Sequence, residues 1–192
     1  MKLIQSKVRY KVYGHHRPTV AILHHTAGGR KGSEDYLRVK GLGYHYMIEK
    51  DGTVYGYNDI EEIVGHASKA NDGYVGISYI SGGPLGPTND IQIQASIELL
   101  KELRSQGVTK VSDHATIDKI VAFRGWKSDP HWQGEKSEVN NWTIKRDMLQ
   151  KIADESGLTP IHNTKLTKAL GFLPINCATL IQLPVCKVVV GD

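Results

Sequence analysis

Short apolar runs fall at 18–24, 44–49, 53–57, 74–80 and 108–113. Each is rich in β-branched or aromatic residues and is bounded by turn formers, so each reads as a strand. The "KDG" at 50–52 predicts a tight turn that folds the second and third runs into a hairpin. In "TNDIQIQASIELLKELRSQG" the spacing switches: Ile93, Ile97, Leu100 and Leu103 recur with helical period. Thr88 or Asn89 supplies the N-cap and Gly107 the stop. A second helix is predicted over 141–156 and a shorter one around 33–40. Strands interleaved with helices in this order predict an α/β fold, a central mixed β-sheet flanked by helices.

Composition narrows the field modestly. A chain of 192 residues with 40% hydrophobic content can bury one substantial core. Residues 1–157 are read as that domain, and 158–192 as a C-terminal appendage, a binding or docking segment. The change in character supports the division: residues 159–192 hold three lysines, one aspartate and no glutamate. A formal charge of +4 suits an anionic surface without demanding nucleic acid. Cys177 and Cys186 are the only cysteines, which excludes a disulfide framework and a four-cysteine zinc module. The N-terminal "MKLIQSKVRYKVYGHHRP" is broken by polar residues before a signal-peptide core develops, and no run has the length of a membrane helix. Synthesis in the cytoplasm is the expectation.

The chemistry concentrates in histidines. "AILHHTAGG" ends an apolar run on His24 and His25, and an imidazole at a buried strand end needs a partner, either a carbonyl or a metal. His114 closes the fifth run in "VTKVSDHAT", and Asp129 precedes Pro130 in "RGWKSDPHW". Two neutral imidazoles and one carboxylate are a ligand set that leaves a zinc ion an open position for water. Nine histidines allow other triplets as well.

The ordered series "LHHTAGG", "GYHYMIEKDGTVYGY", "GHA", "GISYISGG", "DHAT" and "KSDP" resembles the zinc-dependent N-acetylmuramoyl-L-alanine amidases of the phage-lysozyme and peptidoglycan-recognition-protein superfamily, over residues 15–155. The resemblance implies zinc ligands at His24, His114 and Asp129. It also implies that Lys127 stabilises the tetrahedral oxyanion and that Tyr44 orients the attacking water. His25, His66 and Asn71 are candidates for contact with substrate, whereas His45 reads as a structural hydrogen-bonding residue. The segment after His114, "ATIDKIVAFRGWKSDPHW", departs from the pattern: it is longer than in short phage enzymes and lacks their Arg-Asp.

The implied activity is zinc-dependent hydrolysis of the bond between N-acetylmuramic acid and L-alanine in peptidoglycan. The implied setting is a phage or prophage endolysin, a monomer made in the host cytoplasm and released to the wall through a holin-type lesion. Two alternatives stand beside it. One is a cytosolic amidase recycling anhydromuramyl peptides, whose relatives carry a glutamate where this chain has Ser78. The other is a peptidoglycan-binding protein without catalysis, which typically lacks a ligand that this chain keeps.

Overall fold

The computed structural model describes residues 1–67, 71–117 and 146–162. Seven strands form one mixed sheet: β1 (Lys2–Gln5), β2 (Val20–His25), β3 (Tyr46–Ile48), β4 (Thr53–Gly56), β5 (Tyr74–Tyr79), β6 (Lys110–Asp113) and β7 (Thr159–Pro160). Their order across the sheet is β1-β4-β3-β5-β2-β6-β7. The β3–β4 hairpin is antiparallel and every other pairing is parallel. Among the described residues, three helices of more than ten residues accompany the sheet: α1 (Arg30–Lys40), α2 (Asp90–Ser105) and α3 (Arg146–Ser156).

All five expected strands are present within a residue or two of their expected limits, and the expected fold class is the one observed. Asn89, not Thr88, caps α2: its side chain accepts from the Gln92 amide, and Gln92 reciprocates. The helix expected around 33–40 begins earlier, at Arg30. The first part of the helix expected over 141–156 lies outside the described residues, and α3 supplies the remainder.

Two strands were not anticipated. β1 adds in parallel to β4 at one edge, and β7 pairs with β6 at the other. The sheet therefore continues beyond Gly157: Leu158 is buried in the main core, and the Ile161 amide donates to the Val111 carbonyl. No helix among the described residues is long and apolar enough to cross a membrane.

Strand alternation divides the core between the two faces of the sheet. On one face, Ala21, Leu23, Val75, Ile77 and Tyr79 pack with Ile97, Leu100 and Leu103 of α2 and Ile152 of α3. On the other, Val20 and Ile22 pack with Ala67, Tyr74, Ile117 and Ile161. A third cluster joins Leu37 of α1 to Tyr10, Tyr44, Met47 and Tyr57. Gly43 makes this last junction possible, because a Cβ there would lie 2.2 Å from Cγ of Tyr10. The close approach seats Tyr10 directly beneath the backbone that carries Tyr44.

Candidate active site

His24 occupies the C-terminal end of β2, between β5 and β6, where parallel strands open toward ligands in α/β sheets. The β2–β6 register pairs Leu23 with Asp113, so the next residues, His24 and His114, fall side by side. Local chemistry fixes His114. Asp113 accepts from the Thr116 amide at 2.9 Å and from its hydroxyl at 2.8 Å, capping a helical turn over 114–117 that begins as the strand ends.

The two rings meet with Nδ1 facing Nδ1 at 3.2 Å. Two nitrogens bound to one tetrahedral zinc at ~2.0–2.1 Å lie about 3.3 Å apart, so the observed pair fits two ligands of a single ion. Among the described residues no group of three potential ligand side chains is assembled. Asp129 and Lys127, the expected third ligand and oxyanion donor, lie outside the described residues.

His24 makes a second contact, through Nε2 to Nδ1 of His66 at 3.1 Å. Both rings are buried, His24 at 1% exposure and His66 at 8%. Burial holds the pKa of each well below the ordinary imidazole value, and the neighbouring histidines lower it further. Neutral imidazole is the form that ligates a metal. Tyr44, also buried, sets its ring centroid 4.9 Å from that of His24, beside the same cluster.

The other candidates are placed as follows. His25 points to the opposite face of β2 from His24, with its ring against Gly82, where burial lowers its pKa to about 4. Asn71 clamps a loop: its Oδ1 accepts from the backbone amides of His66 and Ala67, each at 2.8 Å. His66 is packed inside the protein against His24. His45 accepts from the Gly76 amide at Nδ1 and reaches the Glu62 carbonyl through Nε2, the hydrogen-bonding role expected of it.

His16, to which the sequence assigned nothing, is held in the same manner between the Gly73 amide and the Ile60 carbonyl. A histidine in a loop gives no periodic signal, so its depth cannot be read from the sequence. Ser78 pairs with His24 in the sheet register and is fully buried, and its hydroxyl makes no hydrogen bond among the described residues. Strand alternation puts it on the same face as His24.

The solved structures similar in fold include two from Clostridium intestinale URNW. The N-acetylmuramoyl-L-alanine amidase LysC is 20% identical with a TM-score of 0.55, and the match covers 66% of this chain and 99% of LysC. The endolysin amidase LysCS is 18% identical with a TM-score of 0.60, covering 82% of this chain and 97% of LysCS. Drosophila peptidoglycan recognition protein SD is 20% identical with a TM-score of 0.51, covering 76% of this chain and 98% of its own. No curated protein sequence matches the chain. The Amidase_2 family, described as N-acetylmuramoyl-L-alanine amidase, matches residues 14–132, a span that holds the paired imidazoles, the loop of His66 and the "KSDP" segment. With more than half of its length matched, this chain belongs to the N-acetylmuramoyl-L-alanine amidase family.

Proposed function

We propose that this chain hydrolyses the amide between N-acetylmuramic acid and the L-alanine of the peptidoglycan stem peptide, using zinc held by His24, His114 and Asp129. The observation that carries the reading is the convergence of two buried imidazoles, Nδ1 to Nδ1, at the C-terminal ends of adjacent parallel strands. Family membership supplies the bond to be cleaved. When bound there, zinc would activate water and polarise the scissile carbonyl.

The chain's own residues do the rest. Tyr44, beside His24, orients the attacking water with a neutral hydroxyl. Lys127, two residues before Asp129, donates to the negative charge that develops on the carbonyl oxygen. His66 and Asn71 are the residues assigned contact with substrate on the side of His24, whereas His25, assigned the same role, lies on the opposite face of β2 from His24. Peptidoglycan is the partner, and the excess of positive charge favours approach to an anionic wall. The protein acts as a monomer.

The relatives named as endolysins favour a phage or prophage endolysin, made in the host cytoplasm and reaching the wall through a holin-type lesion. Ser78, a small hydroxyl beside His24, favours it over recycling of soluble fragments. Of the C-terminal appendage read at 158–192, the part beyond the sheet would serve as a wall-binding or docking segment. The similarity in fold to peptidoglycan recognition proteins keeps a second reading, binding without hydrolysis.

One assay separates these readings. Purified sacculi are treated with wild type and with Asp129→Ala, each with and without added zinc, and new N-terminal alanine is scored. Release by wild type, lost in the variant or on chelation, is the expected result. Release from soluble anhydromuramyl peptides alone would favour recycling. Binding to sacculi with no release by the zinc-loaded protein would favour recognition alone.

A further inference from the structure

We infer that His66 is a positioning residue that fixes the tautomer of His24, so that the His24 ring presents a lone pair at Nδ1. The inference rests on the proposed metal site and follows from proton bookkeeping on the observed contacts. His24 Nδ1 faces His114 Nδ1 at 3.2 Å. For both nitrogens to serve one cation, neither can carry a proton. The single proton of neutral His24 then sits on Nε2, the atom that lies 3.1 Å from Nδ1 of His66. His66 therefore accepts at Nδ1 and carries its own proton at Nε2. A partner that accepts the second N–H of a ligating histidine sets both the ring's orientation and its basicity.

The surroundings hold His66 in this place. Its ring lies over Gly76 of β5, where a Cβ would come within 2.7 Å of Cγ and 2.9 Å of Nδ1. Only glycine leaves that seat open. Gly76 is itself anchored, donating its amide to Nδ1 of His45 at 3.0 Å. From the loop side, Asn71 ties down the His66 and Ala67 amides. The Nε2 of His66 is buried and makes no hydrogen bond among the described residues. One face of the ring pair is thus committed to His24, and the "GHASKAN" segment and the glycine of "GISYI" act as parts of one device.

The test measures zinc affinity by competition with a chromophoric chelator, on metal-free wild type, His66→Leu and His66→Asn, with thermal melts of the metal-free proteins as a control on folding. Asparagine can present Oδ1 where histidine presents Nδ1, whereas leucine presents no acceptor. His66→Leu should bind zinc roughly 10- to 100-fold more weakly, with His66→Asn recovering most of the loss. Leucine and wild-type proteins of equal affinity would overturn the inference and leave the proposed function standing. Failure of wild type to bind zinc would overturn both. Should the leucine variant not fold, zinc-loaded wild type decides alone: long-range 1H–15N spectra should show His24 protonated at Nε2. A His24 proton on Nδ1, or a His66 ring that itself binds through Nδ1, would overturn the inference.

Discussion

Tyr44 shows at the scale of one residue how packing and chemistry divide a side chain. Its ring belongs to the cluster with Tyr10, Leu37, Met47 and Tyr57, while it also lies against His24. Tyr44→Phe keeps the ring and deletes the hydroxyl. The expected outcome is a fall in kcat of about 100-fold, in the range for a lost proton-handling group, with thermal stability almost unchanged. Steady-state kinetics on sacculi and a melting curve check both halves, and an unchanged kcat would remove Tyr44 from the mechanism. His24 and His114 were legible in the sequence because each closes a strand-like run. His66 was legible as a motif member, but its depth was not: that depends on Gly76, a residue of another strand, and no local pattern encodes such a contact.

The helices were easier to read than the sheet edges, for a reason visible in α2. Its apolar period and its cap are both local, so Ile93, Ile97, Leu100 and Leu103 together with Asn89 specify it without reference to the rest of the chain. Asn89 does more than close the helix, since its side-chain amide also donates to the Lys50 carbonyl at the β3–β4 turn. Asn89→Ala should therefore cost about 2 kcal/mol, the upper end of the usual range for a cap, and lower Tm by roughly 4–8 °C. Calorimetry or a urea melt checks it, and a loss of only about 1 kcal/mol, that of an ordinary cap, would mean that the Lys50 link contributes nothing. β1 and β7 offer the contrast. β1 is a four-residue edge strand whose pairing partner lies about 50 residues away, and β7 is two residues long and includes Pro160. An edge tolerates a residue without an amide proton, but neither length nor composition announces such a strand beforehand.

Most histidines among the described residues are buried, and this sets how the whole molecule should respond to acid. His16, His24, His25, His45 and His66 are all buried with lowered pKa values, and burial is the leading cause for each. His45 is the clearest case: burial brings its pKa from the ordinary 6.5 to about 4, and both ring nitrogens are taken by backbone groups of Gly76 and Glu62. Between those two values the unfolded chain binds a proton that the folded protein refuses, so stability rises with pH across the window. The contribution is complete above about 6.5, is lost progressively as pH falls toward 4, and amounts to roughly 3 kcal/mol for a shift of this size. Several such groups act in the same direction, so metal-free protein should lose much of its stability between pH 7 and pH 4.5. Urea melts across that range, run with chelator so that proton-driven release of zinc plays no part, should give a midpoint that falls steadily. His45→Gln supplies the internal control, since glutamine does not titrate and should reduce the slope of stability against pH. A wild-type midpoint flat from pH 7 to pH 5 would mean that the buried rings gain protons without opening the fold.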